Sequence, residues 1–375
     1  MPDPRAPVFV NGRFLAQRQT GVQRAAAELL LALDGLLAEA GTAAPPVTVL
    51  APPDAETDRV PLERIAIRRV GRGSGYPWEQ WDLPRAAGGH LLINFGNVAP
   101  LLHRRNAILI HDASVFDRPD AYGWRFRAAM RVLLPLLARR AEALFTVSAF
   151  SADRLTRHGV AGRRGYTLLP AGTEHIARIR PDADALARHG LEPRRYVLFL
   201  GSLHPNKNLA GALETILKVG DPGIRLAVVG ATDARVFTPD GRPAAEPGDR
   251  ALFLGAIDDA AMAALYAGAL CLLFPSFYEG FGLPPLEAMA LDCPVVASNR
   301  ASIPEVCEHA AWLFDPNDGS GMAGAIDRLA TDPGARTRLI ERGRERARQF
   351  TWRASAQRLA ETLGIVGPPA SPSSD

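Results

Sequence analysis

The chain has 375 residues, a formal net charge of +3 and three cysteines, and 47% of its residues are hydrophobic. This length suits two domains better than a single core, and the near balance of charges argues against nucleic acid as a partner. We expect a cytoplasmic protein for three reasons. Its cysteines are few and lack metal-type spacing, it has no apolar run of membrane-spanning length, and it shows no signal-peptide pattern.

Short apolar runs alternate with helical patterns along the chain. In the first half, strands are predicted at 8–10, 47–50, 91–93, 108–110 and 144–147, with helices at 22–38 and 124–142. In the second half, strands are predicted at 196–200, 226–229, 251–254, 270–274, 294–296 and 311–314. This alternation is typical of an α/β protein with two doubly wound, Rossmann-like parallel sheets and a cleft between them.

A charged, less patterned stretch around 178–195 indicates a domain boundary. We therefore expect a first domain over 1–180 and a second over 181–350. Residues 351–366 are predicted to form a helix that returns to the first domain, and the proline- and serine-rich tail at 367–375 to be disordered. The glycine-rich stretch 71–75 does not join a strand directly to a helix, and we interpret it as a flexible loop.

Two glutamates stand eight positions apart after the predicted strand 270–274. Glu279 lies in a loop with Gly280, Phe281 and Gly282, and Glu287 follows Leu283 and two prolines on a predicted short helix. This places both carboxylates at the carboxyl end of a sheet, where open α/β folds bind ligands. Ionised carboxylates accept strong hydrogen bonds from hydroxyls, so the pair suits a polyhydroxylated ligand. The alternative is a pair of solvated surface carboxylates.

Lys207 follows another predicted strand, in the segment that begins Gly201-Ser202 and continues to Asn206 and Asn208. A lysine near a helix N-terminus at the top of a sheet can neutralise a phosphate while backbone amides donate to it. The alternative for a single lysine is a solvated loop position.

Two weaker signals lie in the first half. His111 and Asp112 end a predicted strand, where the imidazole could donate to sugar or phosphate oxygens with Asp112 fixing its orientation. Gly21 opens a predicted helix after Thr20, either to let backbone amides approach an anion or as an ordinary connection capped by Thr20. Asp182 and Asp184 have a D-x-D spelling but do not follow a strand, so no metal site is predicted.

The wording "PSFYEGFGLPPLEAMALDCPVVAS" resembles the E-x7-E element of retaining nucleotide-sugar glycosyltransferases of the GT-B fold, family 4 (glycosyl transferases group 1). The segment after Gly201 resembles the G-x-x-x-P-x-K-N element of that family, although Ser202 and Asn206 stand where many relatives have arginine. "TGVQR" from Thr20 resembles a subgroup of bacterial polysaccharide mannosyltransferases.

The resemblance implies that Glu287 binds the donor ribose, that Glu279 and His111 lie near the transferred sugar, and that Lys207 holds the donor diphosphate. It implies a retaining, metal-independent hexosyltransferase without a cofactor. Its donor would be a nucleotide-diphosphate sugar, with GDP-mannose favoured although the motifs do not encode the base. Its acceptor would be a glycan or lipid-linked glycan in surface polysaccharide or lipopolysaccharide biosynthesis. The resemblance also implies that the domain over 1–180 binds the acceptor and the domain over 181–350 binds the nucleotide-sugar donor.

Two alternative functions and two structural questions stay open. The same fold hosts nucleotide-sugar epimerases and hydrolases, and a non-catalytic nucleotide-sugar-binding protein would share the motifs. One cation of a two-cation diphosphate site is missing, and His204 or a distant arginine would have to replace it. The basic, leucine-rich helix from Trp124 either packs as an ordinary amphipathic helix interrupted by Pro135, or touches the cytoplasmic face of the inner membrane peripherally.

Overall fold

The computed structural model describes residues 6–201, 204–230 and 248–366. These residues form two compact units. The first takes its residues from 1–117, 123–171 and 351–375, and the second from 118–122 and 172–350. The main division therefore falls between residues 171 and 172, ahead of the expected boundary at 180. The tail expected at 367–375 lies outside the described residues.

The first unit is built on parallel strands in the order β3-β2-β1-β4-β5-β6-β7. Strands buried on both faces, as in a helix-covered parallel sheet, are continuously apolar. The strands are β1 (Val8–Asn11), β2 (Val47–Ala51), β3 (Ala66–Arg69), β4 (Leu91–Asn94), β5 (Asn106–Leu109), β6 (Ala143–Thr146) and β7 (Thr167–Leu168). The helices are α1 (Gly21–Ala40), α2 (Gly75–Pro77), α3 (Leu83–Ala87), α4 (Ser114–Asp117), α5 (Trp124–Arg140) and α6 (Ala149–Arg157), with a π-helical turn at Trp78–Asp82.

The second unit repeats the plan with the parallel order β10-β9-β8-β11-β12-β13. Its strands are β8 (Tyr196–Leu200), β9 (Arg225–Val229), β10 (Ala251–Gly255), β11 (Cys271–Phe274), β12 (Val295–Ser298) and β13 (Trp312–Phe314). Its helices are α7 (Glu174–Ala177), α8 (Ala185–Arg188), α9 (Leu209–Lys218), α10 (Asp259–Gly268), α11 (Leu283–Ala290), α12 (Ile303–Cys307), α13 (Gly319–Thr331) and α14 (Pro333–Arg348).

The last helix, α15 (Trp352–Thr362), belongs to the first unit and packs along α1. Leu29, Leu33 and Leu37 recur at helical spacing on α1 and are buried. At the edge of this contact, both guanidinium branches of Arg353 reach the Glu39 carboxylate, at 2.6 and 2.7 Å.

The prediction of two doubly wound α/β sheets is confirmed. The strand order in each sheet reverses direction at one place, between β1 and β4 in the first sheet and between β8 and β11 in the second. Strand order that reverses in this way opens a crevice at the carboxyl ends of the two central strands, and ligands of open α/β sheets bind there. The fold therefore marks one candidate ligand position in each unit.

Two predictions about local structure are wrong. Helix α5 runs through Pro135 without a break, because the carbonyl that loses its partner lies one turn earlier at the exposed Arg131, where water can satisfy it. The stretch 71–75 is held rather than free, because the Asp82 carboxylate accepts hydrogen bonds from the amides of Arg72 and Gly73, both at 3.1 Å.

Candidate active site

The reversal point of the second sheet brings together the loops that follow β8 and β11. These loops contain Lys207 and Glu279, and the amide of Phe277 donates to the carbonyl of Asn206 at 2.8 Å, which ties one loop to the other. Ser202, one of the predicted donor-binding residues, lies outside the described residues. Sequence reasoning placed Lys207 and Glu279 at the same sheet edge, and the structure brings their charged groups into contact.

Lys207 and Glu279 form an ion pair. The ammonium Nζ lies 2.8 Å from Oε1 and 3.0 Å from Oε2 of Glu279, and the carboxylate side chain is only 13% exposed. Nζ also lies 5.5 Å from the centre of the Phe274 ring. Lys207 is therefore held by the site rather than solvated. An ammonium has three N–H donors, so one remains for an anion after two point to the carboxylate.

Glu287 lies on α11 and is buried, with both carboxylate oxygens bonded. Nε2–H of His175 donates to Oε1 at 2.8 Å, and the Tyr266 hydroxyl donates to Oε2 at 2.8 Å. These two partners fix the plane of the carboxylate and offset the cost of burying its charge. Each oxygen keeps a second lone pair that can accept from a ligand hydroxyl. Sequence reasoning missed both partners, which come from distant, unremarkable helices.

A serine hydroxyl and a constrained glycine fix the loop between the two glutamates. The Ser302 hydroxyl lies 3.0 Å from the carbonyl of Glu279 and 2.7 Å from that of Phe281, and shares its proton between them. Gly282 has φ +105°, and a Cβ there would lie 2.6 Å from Cδ1 of Ile303. Only glycine meets both constraints, so Gly282 sets the entry to α11. The helix begins at Leu283, and the two prolines that follow need no amide partner.

Gly280 and Phe281 complete this loop. Phe281 is buried and its ring meets that of Phe350 edge-on at 5.7 Å. Together with Ser302 and Gly282, this contact shows that the loop is a preorganised element of the second unit.

Gly201 plays a different part from the one predicted. Its amide donates to the carbonyl of Val229 at 3.1 Å, so it extends the sheet ladder and is not available to a phosphate. A Cβ at this position would lie 2.9 Å from Cβ of Lys207. Gly201 therefore provides the room in which the lysine stem packs.

Asn206, the position at which the family resemblance suggested a missing cation, is buried. Its side-chain oxygen Oδ1 has no hydrogen-bond partner among the described residues. Nδ1 of His204 accepts from the Asn206 amide at 3.3 Å, so that ring nitrogen supports the turn.

His111 lies in the first unit, just beyond β5, and is buried. Its Nε2–H donates to the carbonyl of Phe95 at 2.8 Å, while Asp112 accepts from the amide of Ser114 instead of orienting the imidazole. Burial lowers the pKa of His111, opposed by the Phe95 hydrogen bond and the nearby Asp112. The neutral ring presents Nδ1 as an acceptor, so the predicted donor role is reversed.

Gly21 is the first residue of α1 and is exposed, with open space around the position of a Cβ. The alternative of a Thr20 cap is wrong, because the Thr20 hydroxyl bonds to the side chain of Gln23 and caps no amide. The first-turn amides of α1 are thus left without a side-chain cap.

The D-x-D spelling in the second unit forms no acidic cluster. The Asp182 carboxylate pairs with Arg188 and accepts from the amide of Asp184 at 3.0 Å. In the part of the chain that the structure describes, no three His, Cys, Asp or Glu side chains converge as metal ligands.

The family model and the relatives that match this chain are all glycosyltransferases. Residues 184–346 match the family model described as glycosyl transferases group 1. O-antigen chain mannosyltransferase B of Escherichia coli is 32% identical over 263 residues, which cover 67% of this chain and 68% of that protein. O-antigen chain mannosyltransferase RfbU of Salmonella typhimurium is 28% identical over 258 residues, which cover 66% and 70%.

Solved structures share the fold. Sucrose-phosphate synthase from Thermosynechococcus elongatus superposes with a TM-score of 0.73 at 22% identity, over 96% of this chain and 98% of that one. At this identity the likeness concerns the two-sheet architecture alone.

Replacing Gly282 with alanine should destabilise the second unit by about 1–3 kcal/mol, because the side chain meets Ile303 in a strained backbone region. Gly324, on an exposed turn of α13 with open space around its Cβ, is the matched control. Gly324→Ala should stabilise by up to about 1 kcal/mol. Denaturant unfolding measures both, and equal effects would show that Gly282 is not constrained.

Tyr266→Phe should cost about 1.5–3 kcal/mol, because a buried carboxylate loses a hydrogen bond. Tyr196→Phe is the control, since its buried hydroxyl donates to a neutral carbonyl, that of Leu265, at 2.6 Å. That loss should be about 1 kcal/mol. If the Tyr196 variant were the less stable of the two in denaturant unfolding, the Tyr266 hydroxyl would not be holding Glu287.

Proposed function

Because the chain belongs to the glycosyl transferases group 1 family, we propose that it transfers a mannosyl residue from a nucleotide-diphosphate mannose, with retention of configuration. The acceptor is a glycan or lipid-linked glycan of a surface polysaccharide. The observation that supports this proposal is the constellation of Lys207, Glu279 and Glu287 at the reversal point of the second sheet. The mannosyl specificity is proposed from the two relatives, both of which are named O-antigen chain mannosyltransferases.

The reaction breaks the bond between the anomeric carbon and a phosphate oxygen and forms one to an acceptor oxygen. The bonding electrons stay with the leaving phosphate, and the acceptor hydroxyl gives its proton to a phosphate oxygen. Negative charge therefore grows on the phosphate while positive charge grows on the sugar. In this proposal the third N–H of Lys207 stabilises the former, and the Glu279 carboxylate stabilises the latter; the ion pair between the two groups supports these roles.

Glu287 holds the donor rather than reacting with it. Its plane is fixed by His175 and Tyr266, so ribose hydroxyls meet an acceptor that needs no reorganisation. We further propose that His111 accepts a hydrogen bond from the transferred sugar through Nδ1, and that the uncapped amides after Gly21 donate to a phosphate. No cofactor enters this scheme, and Lys207 takes the charge-neutralising part that a metal has in other transferases.

The donor is tested by thermal shift with GDP-, UDP-, ADP- and dTDP-sugars. A donor at about one hundred times its dissociation constant stabilises the native state by about 2.7 kcal/mol. GDP-mannose should give the largest shift. Lys207→Met should weaken donor binding about 10- to 100-fold, since a charge-assisted contact to the diphosphate is lost. Lys218→Met, on the exposed last turn of α9, is the control and should bind normally.

If the two lysine variants bound the donor equally, Lys207 would have no part in the diphosphate site. Incubation of the donor without acceptor separates the alternative activities. Free mannose would indicate a hydrolase, and a changed sugar still attached to the nucleotide would indicate an epimerase. A donor that stays intact until an acceptor is added supports transfer.

We also propose that α5 rests on an anionic membrane surface where a lipid-linked acceptor is held. Trp124 and Val132 are 70% and 63% exposed, and Arg125, Arg131 and Arg139 are exposed beside them. Apolar side chains interleaved with cations suit the headgroup region of anionic lipid. No helix among the described residues is long and apolar enough to cross a membrane.

Sedimentation with vesicles tests this contact. The protein should bind vesicles containing anionic lipid more strongly than zwitterionic ones, and Trp124→Ala should weaken binding severalfold. Leu217→Ala, which removes an exposed apolar side chain from α9 in the second unit, should leave binding unchanged. Equal binding of both variants, or no dependence on anionic lipid, would contradict a role for α5.

A further inference from the structure

The second sheet ends at an edge strand that has an open groove beside it. Strand β13 pairs with β12 and with no other strand of the described residues. The groove, called the β13 groove below, has a volume of about 670 Å³ and is lined by residues 311–314 and by parts of α13 and α14. None of its lining residues belongs to the candidate active site.

The backbone of this edge is available for pairing. The amide of Asn299 donates to the carbonyl of Phe314 at 2.7 Å, so the backbone groups of Phe314 face β12. Successive residues of a strand turn their backbone groups to opposite sides, so those of Leu313 face the β13 groove. Ala311 is also extended, with φ −134° and ψ 160°, and has the same orientation as Leu313. Together these two residues offer two N–H and two C=O groups to a further strand.

The other edges of the two sheets have features that discourage such pairing. Strand β10 has an irregular register between Phe253 and Gly255, β3 ends in two arginines, and β7 has only two residues. Bulges, charges and short length are the usual means of protecting an edge. Strand β13 consists of Trp312, Leu313 and Phe314, with no charge and a regular register. Its edge is therefore the one best suited to accept an added strand.

A helical glycine leaves room beside this edge. Gly324 lies on an exposed turn of α13 and lines the β13 groove, and no atom lies within 4 Å of the position that a Cβ would take. Glycine destabilises a helix interior relative to alanine, so this position has space at the expense of helix stability. The next residue, Ala325, is also small. A strand beside β13 could therefore place side chains over α13, next to Trp312.

The rim of the β13 groove is cationic. Arg328 and Arg342 line it and are exposed. The ion pair of Arg328 with Asp332 is long, at 3.7 Å, and Arg342 forms no ion pair with any described residue. Glu308 is the carboxylate of the lining, and it is paired with Arg346 at 2.8 Å. Two guanidinium groups are thus left to attract an acidic ligand.

The turn that leads into β13 is rigid. Glu308 has φ +44° and ψ −124°, a backbone conformation that is costly for a residue with a side chain. Arg346 holds this turn, because its guanidinium donates to the carbonyls of Val306 at 2.8 Å and Glu305 at 2.7 Å. The end of the β13 groove is therefore preorganised, which lowers the entropy cost of binding.

We propose that the β13 groove binds an extended, acidic segment of a partner protein, which adds to the second sheet as a further strand. The open backbone groups of Ala311 and Leu313 select an extended chain, since a small anion would leave them unpaired. Arg328 and Arg342 select acidic side chains. A second copy of this chain fits less well, because pairing two β13 edges would bring these cations together. The proposal does not depend on the transfer reaction.

Fluorescence anisotropy of the full chain with the labelled peptide Asp-Val-Glu-Val-Asp-Val tests the proposal. A second peptide has lysine in place of each acidic residue. A third has proline in place of the first two valines, which removes two N–H donors. The acidic peptide should bind at least tenfold more tightly than either. Its addition should also slow hydrogen exchange over residues 311–314, measured by mass spectrometry.

Two pairs of variants locate the binding. Gly324→Leu fills the β13 groove and should weaken binding of the acidic peptide at least tenfold. Gly35→Leu is the matched control, because Gly35 is an exposed glycine of α1 with equally open space around its Cβ. Arg342→Glu should weaken binding about tenfold, whereas Arg348→Glu, on α14 outside the groove lining, should not. Denaturant unfolding confirms that each variant is folded.

The proposal is refuted if the acidic peptide does not bind, or if the lysine or proline peptide binds as tightly. Equal binding by Gly324→Leu and Gly35→Leu, or protection from exchange at a place other than 311–314, would also refute it. Analytical ultracentrifugation tests the other occupant. A wild-type dimer that Gly324→Leu dissociates would assign the β13 groove to a second copy of the chain and overturn the proposal.

Discussion

The parallel pairing of β11 beside β8 is the constraint on which the candidate active site depends. Leu272 lies opposite Leu198 in this pairing, although more than seventy residues separate them in the chain. The helices that follow the two strands must pass to opposite faces of the sheet, so the loops that leave them diverge and expose the strand ends. Lys207 and Glu279 meet because each is placed a few residues beyond one of these two strands. The strand order reverses in the same way between β1 and β4 in the first unit.

Both reversal points contain a buried glutamate, and both use the same means to keep it charged. Glu287 accepts hydrogen bonds from a histidine and a tyrosine, and Glu79 accepts them from an asparagine and an arginine. A carboxylate taken out of water without such partners would cost several kcal/mol. Because the partners occupy one lone pair of each oxygen, the remaining lone pairs point in fixed directions. Such an arrangement recognises hydroxyl groups by geometry and avoids the cost of ordering a mobile side chain.

The strands with apolar patterns were predictable from the sequence, and the edge strands were not. Strand β8 is apolar throughout because helices cover both faces of its sheet, and it was located to the residue. Strand β3 reads Ala-Ile-Arg-Arg and is mostly exposed, so it has no pattern of its own and exists through its pairing with β2. The two-residue β7 is too short to leave a signal.

The site was predictable to the same limited degree. Lys207, Glu279 and Glu287 could be identified because they are charged residues that follow buried strands, and the ends of such strands can be predicted from the sequence. Their partners could not be found in this way. His175 and Tyr266 reach Glu287 from 112 and 21 residues away along the chain. Helical positions of that kind carry no periodic signal that distinguishes a partner from an ordinary buried residue.

The burial of Asn206 is the reason that the proposed diphosphate site relies on a single lysine. Its side chain is buried, and its backbone carbonyl accepts a hydrogen bond from the amide of Phe277, so the backbone at this position joins the two loops. An arginine with the same orientation would bury an unpaired charge, which is far more costly than burying an amide. The cationic contribution is therefore concentrated on Lys207, which also holds Glu279. In the proposed reaction, a phosphate that takes the third N–H of Lys207 shares this ammonium with Glu279, so the leaving group and the carboxylate would be linked through one charged group.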